Sequence, residues 1–192
     1  MTSQPADQQP LFQVSAELRI SASPLEIYAV VSDVARSKEW SRECKSIEWV
    51  SGEPSTVGAI FRSANFRHDD VVAWAPVPRG AWTTQSEVVA ADPGRIFSWQ
   101  MYNSDGVKED SVWAYDITPD GAGSVLVHRF RMNRPTKGIL RIVSGLDEAE
   151  TRTFYADWAV KLEGDIRATL GRIKALAEKT EPTEQTEPTE QH

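Results

Sequence analysis

Hydrophobic and polar residues alternate strictly near the start of the chain. Phe12, Val14, Ala16, Leu18 and Ile20 are interleaved with Gln13, Ser15, Glu17 and Arg19. A period of two puts the apolar set on one face of a half-buried β-strand. Comparable strand patterns recur at 46–50, 59–66, 82–89, 96–102, 112–118 and 125–132, rich in aromatic and β-branched residues. Asp92-Pro93-Gly94, Asn103-Ser104-Asp105-Gly106 and Pro119-Asp120-Gly121 separate several of them with hairpin chemistry. The stretch 67–80, with Pro76, Pro78 and Gly80, is less regular and has room for a short strand near 71–74.

Two helical signals stand apart from this pattern. Ser23-Pro24-Leu25-Glu26 supplies a capping Ser, a Pro at the first helical position and a Glu at the third. Ile27, Val30, Val31 and Val34 give that helix its buried face, and 37–41 reads as a short second helix or turn around Trp40. A short helical or loop segment at 138–143 leads into the other signal. From 147 to 178 the chain is free of proline, and Tyr155, Ala159, Leu162, Ile166, Leu170, Ile173 and Ala177 recur every three or four residues. A helix of that span is roughly 45–50 Å long. No other segment is comparable, so its stripe has to lie against the sheet. A curved antiparallel sheet gripping one long helix leaves a space between them, which suggests a small-molecule container.

Composition narrows the function classes. The chain has 192 residues, 40% of them hydrophobic, with seven Trp and a net charge of −7. Five Glu and one Lys lie beyond residue 177, so the remainder is close to −3 and carries no basic block. That argues against nucleic acid and against an electrostatic membrane anchor. Cys44 is the single cysteine, so no intrachain disulfide forms. The first ten residues are polar and lack a signal-peptide core, and no apolar run has the length of a membrane span. The expectation is a cytoplasmic protein, monomeric or weakly dimeric. Its organisation is expected to be a disordered leader at 1–10, one domain at 11–179 and a disordered tail at 180–192, the tail being two copies of Thr-Glu-Pro-Thr-Glu-Gln.

Several short stretches carry a family resemblance. These are Ser23-Pro24-Leu25-Glu26-Ile27-Tyr28 with Val31-Ser32-Asp33 behind it, Glu39-Trp40-Ser41, Val57-Gly58-Ala59-Ile60-Phe61, Phe97-Ser98-Trp99, Trp113-Ala114-Tyr115 and Leu170-Gly171-Arg172-Ile173-Lys174. From about Leu11 to Glu178 the chain resembles the START-like (SRPBCC) helix-grip superfamily, in its polyketide cyclase/dehydrase branch. The resemblance implies an α+β fold. A curved antiparallel sheet of six to seven strands wraps a long C-terminal helix, with two short helices after the first strand. It speaks to fold more than to reaction, because one fold hosts many functions.

Strand phase nominates the residues that face the space. On successive strands the inward sets are Phe61, Ser63 and Asn65; Trp82, Thr84, Ser86 and Val88; Phe97, Trp99 and Met101; Trp113, Tyr115 and Ile117; and Leu126, His128, Phe130 and Met132. An aromatic face with a few hydroxyl, amide and imidazole groups suits a flat or lipid-like ligand. The same alternation also describes an ordinary core. The expected ligand contacts are Phe61, Asn65, Thr84, Trp99, Trp113, Tyr115, His128 and Phe130, completed by Arg152, Tyr155 and Trp158 on the long helix. Glu148, Thr151 and Arg152 extend the helical stripe backwards with polar groups, which marks either the cavity mouth or a turn projecting into water.

His128 is the natural acid/base group if a reaction occurs, because an imidazole titrates near neutrality. A hydrogen-bonded core histidine is the plainer alternative. In Arg67-His68-Asp69-Asp70, adjacent side chains do not converge on one ion, so no metal is expected there. No dinucleotide, phosphate-loop or nucleophile-elbow motif occurs, and no cofactor is expected. Three functions follow. One is a binder of a hydrophobic or polycyclic small molecule. Another is a polyketide cyclase/aromatase working through proximity, with His128, Tyr115 and Asn65 as polar groups. The third is a ligand-free partner-binding module whose cavity is filled by its own side chains.

Overall fold

The structure, a computed structural model, describes residues 9–180. The expected leader, apart from Gln9 and Pro10, and the expected repeat tail beyond Thr180 lie outside the described residues. Seven strands form one antiparallel sheet: β1 (Phe12–Ile20), β2 (Cys44–Ser51), β3 (Ile60–Arg67), β4 (Gly80–Asp92), β5 (Ile96–Tyr102), β6 (Lys108–Asp120) and β7 (Gly123–Met132). Their order across the sheet is β1-β7-β6-β5-β4-β3-β2. Helix α1 (Pro24–Ser32) and a 3₁₀ turn (Val34–Glu39) follow β1; α2 (Lys137–Val143) and α3 (Glu148–Ala177) close the fold.

Local chemistry accounts for the helix starts. Ser23 and Glu26 form a reciprocal capping box on α1, and Asp147 with Glu150 does the same on α3. Thr136 caps α2 through the Ile139 N–H. At 30 residues α3 extends about 45 Å. It buries Phe154, Leu162, Ile166, Thr169, Leu170, Ile173 and Ala177. This stripe is rotated from the expected one at its start. Phe154 is fully buried, while Tyr155 is half-buried and packs on Phe12.

The strand phases agree with the alternation. Phe61, Val88, Phe97, Tyr115, Leu126, His128, Phe130 and Met132 are all buried on the inner face. Arg129 lies on the opposite face, paired with Asp116, and Arg131 is exposed. Most strands extend two to four residues beyond the expected bounds, because the hairpins keep pairing through polar residues such as Lys108 and Asp120. The irregular stretch forms turns near 71–74 and no strand. The second short helix is the 3₁₀ turn at Val34–Glu39, ending on a buried Trp40.

Register defines the two ends of the sheet. One end gathers the starts of β1, β2, β4 and β6 with the ends of β3, β5 and β7, as pairs Phe12↔Met132, Asn65↔Cys44, Arg67↔Gly80 and Tyr102↔Lys108 show. At the opposite end α1 packs against β5, β6 and β7, with Tyr28 edge-on to Phe97. The core is continuous there: Ile20, Ile27, Val31, Leu126 and Ile173 are fully enclosed.

Candidate functional site

Between the concave sheet face and α3 lies a cavity of about 680 Å³, within the range of about 300–1,000 Å³ typical of small-molecule sites. Its floor is an aromatic ladder built by cross-strand pairing. Trp99 on β5 faces Trp113 on β6, and Trp113 faces Phe130 on β7. The two indoles are nearly parallel, with centroids 6.4 Å apart and 11° between planes. Trp113 and Phe130 are 4.6 Å apart, and Phe61 meets Trp99 edge-on at 6.4 Å. Flat surfaces of this kind stack with flat ligands.

His128 sits inside this ladder opposite Tyr115, ring to ring at 4.2 Å and 21°. Its Nδ1 is 3.0 Å from the Ala114 carbonyl oxygen. A carbonyl only accepts, so Nδ1 carries the proton and donates it. Burial pushes the imidazole pKa down to about 4, against the smaller opposing effects of that hydrogen bond and of Asp116. The ring is therefore neutral at physiological pH. Burial also raises the Tyr115 phenol well above its ordinary value, with the Trp40 indole opposing it, so its proton stays in place.

Among the described residues, the charged groups on the cavity wall gather toward the sheet end distant from α1. There Arg67 lies against Glu43 at 3.4 Å, and Lys161 on α3 pairs with both Glu43 and Asp165. The guanidinium of Arg67 covers the Trp82 ring at 4.4 Å and approaches Trp158 at 5.5 Å. Burial pulls its pKa down, Glu43 holds it up and Arg79 adds to the fall. Across the same end, Tyr102, Asn103, Ser104, Glu109, Lys137 and Arg141 line the wall beneath α2. Glu109 accepts from the Lys137 N–H at 2.7 Å, and burial raises its pKa. The cavity thus grades from an enclosed apolar end under α1 to a charged rim. Among the described residues no cluster of three or more His, Cys, Asp or Glu is arranged to hold a metal ion.

Phe61, Asn65, Thr84, Trp99, Trp113, Tyr115, His128, Phe130 and Trp158 all lie on the cavity wall. Arg152 and Tyr155 do not. Arg152 is two-thirds exposed and pairs with Glu148 on the surface of α3, so the first turn of the helix projects into water. Tyr155 is spent on packing against Phe12 and Phe154. Sequence reasoning missed Arg67, Glu43, Lys161 and Asp165. One further step of the β3 alternation, Phe61-Ser63-Asn65-Arg67, would have reached Arg67. The α3 wall residues Trp158, Leu162, Asp165, Ile166 and Thr169 mix polar with apolar groups, so hydrophobic period alone does not single them out. Cys44 is on the wall, buried, with burial raising its thiol pKa. His68 meets the exposed Phe66 ring edge-on, outside the cavity.

The family profile described as polyketide cyclase / dehydrase and lipid transport matches residues 12–178, nearly the whole described chain. The chain belongs to this family. Solved structures share its fold at low identity. The di-domain ARO/CYC StfQ from the steffimycin biosynthetic pathway aligns with a TM-score of 0.64 at 15% identity, over 87% of this chain and 50% of that one. The di-domain ARO/CYC BexL from the BE-7585A biosynthetic pathway gives 0.63 at 18%, over 89% and 51%. The chain therefore spans about half the length of these di-domain relatives. The polyketide-cyclase-like protein Cgl2372 from Corynebacterium glutamicum gives 0.58 at 24%, over 94% and 99%. No functionally curated protein matches the chain. Among the described residues no helix of this family member is long and apolar enough to cross a membrane.

Proposed function

We propose that this polyketide cyclase/dehydrase family member binds a flat hydrophobic or polycyclic small molecule in the cavity between sheet and α3. The observation that carries this reading is the open space over the Trp99–Trp113–Phe130 ladder. A module that bound partners without a ligand would fill that space with its own side chains, and about 680 Å³ is left unfilled. Burying a ring system there removes apolar area from water at about 25 cal/mol per Å². The rim groups Arg67, Lys161, Glu109 and Lys137 leave room for a polar end to stay near solvent. Phe61, Asn65, Thr84, Trp158 and the ladder are the proposed contacts.

A second reading, a cyclase or aromatase, is supported by the family description and by the ARO/CYC likeness of the fold. In it the cavity would hold a reactive chain in a folded shape, and orientation would supply most of the rate. His128, Tyr115 and Asn65 are then the polar groups nearest the reacting atoms. Neutral at pH 7 and shifted to about 4, His128 is a weak base.

Native mass spectrometry of the protein purified from its own host tests the binding reading. The expected spectrum shows a bound apolar molecule released intact on collisional activation. Release of a cyclised product after incubation with a linear precursor would favour the enzymatic reading. A protein that is bare under all conditions, and that gains no mass with planar aromatic probes, contradicts both.

A further inference from the structure

His128 has one ring nitrogen spoken for and one open. Nδ1–H donates to the Ala114 carbonyl at 3.0 Å, so in the neutral ring Nε2 is a bare lone pair. No described residue makes a hydrogen bond to Nε2. Nor is it one of the solvent-sealed side-chain atoms that lack a hydrogen bond, which among the described residues are Arg67 Nε, Trp82 Nε1 and Ser111 Oγ. With His128 on the cavity wall, its accessible Nε2 opens into the cavity. Its neighbours are the rings of Trp99, Trp113 and Tyr115, at centroid distances of 6.3, 5.3 and 4.2 Å.

We infer that His128 Nε2 accepts a hydrogen bond from a hydroxyl group of the bound molecule. The cavity would then prefer a flat ring system bearing a hydroxyl donor over one presenting only an ether or carbonyl oxygen at that place. This rests on the binding reading above. A ligand that displaces solvent from Nε2 without replacing its hydrogen bond leaves a buried acceptor unpaired and loses affinity. A carbonyl or ether oxygen there would set lone pair against lone pair. Two features keep the acceptor from becoming a donor. The Ala114 carbonyl fixes the tautomer, and burial keeps the ring unprotonated. The carboxylate whose charge is felt by the ring, Asp116, belongs to the outer face, where it is held by Arg129 at 2.5 Å.

The test is a matched probe pair, 1-hydroxypyrene and 1-methoxypyrene, titrated at pH 7 into the full chain and followed by tryptophan fluorescence. The wild-type protein should bind the phenol about tenfold or more tightly than the ether. His128→Phe should abolish that preference, bringing the ratio of phenol to ether affinity to about one. Equal binding of both probes by the wild-type protein overturns the inference and leaves the binding reading standing. Binding of neither overturns the binding reading and the inference with it. Should His128→Phe fail to fold, ¹⁵N spectra of the wild-type imidazole decide. Nδ1 should be protonated and Nε2 bare, with the Nε2 resonance moving on addition of phenol and not of ether. An Nε2-protonated ring, or equal response to the two probes, overturns the inference.

Discussion

At the scale of single residues, His128 links the cavity to stability. The unfolded chain protonates this imidazole near 6.5, whereas the folded protein resists protonation until about 4. Between those values the unfolded state binds more protons, so stability rises with pH across the window. The contribution of the neutral ring is complete above about pH 6.5 and is lost as pH falls to about 4. Each pKa unit corresponds to about 1.4 kcal/mol, giving roughly 3 kcal/mol over the whole window. Carboxylates also titrate there, so the comparison is between wild-type protein and His128→Phe. Denaturant unfolding at pH 7 and pH 4.5 should show a steeper loss for the wild type. Equal losses would mean the ring is not held neutral.

At the scale of elements, the network of Arg67, Glu43, Lys161 and Asp165 ties β3 and the start of β2 to α3. All four side chains are at least three-quarters enclosed. Removing the carboxylate leaves the enclosed Arg67 without its anionic partner and Lys161 with Asp165 alone. Glu43→Gln should therefore cost about 3 kcal/mol, the scale for breaking an enclosed ion pair from one side. A change below about 1 kcal/mol, the scale of a surface pair, would show that solvent reaches the network freely. This network was invisible to hydrophobic periodicity, because Glu43, Arg67 and the helical pair Lys161–Asp165 are at least 24 residues from one another and only the sheet register and helix placement bring them together. The strands were legible for the opposite reason. Each inward residue is two positions from the next, and one apolar phase such as Leu126-His128-Phe130-Met132 specifies a face without any distant partner. The long helix was legible in extent from its proline-free run and apolar stripe. Its first turn was not, since Tyr155 and Phe154 are both aromatic and only contact with β1 decides which one is enclosed.

At the scale of the molecule, α1 closes one end of the sheet while charged residues from β3, β6, α2 and α3 ring the other, leaving the space under α3 unfilled. Family membership and the shared fold agree with that architecture and leave the occupant open. The proposed occupant of that space is a planar apolar molecule. Titrating pyrene into the wild-type protein and into Ser63→Phe tests this, since the substitution fills the wall next to Phe61 and opposite Thr84 without adding an indole. Energy transfer from tryptophan to pyrene should saturate at one molecule per chain in the wild type and be at least tenfold weaker in a folded Ser63→Phe protein. Transfer that never saturates, or that is unchanged when the cavity is filled, would contradict the account.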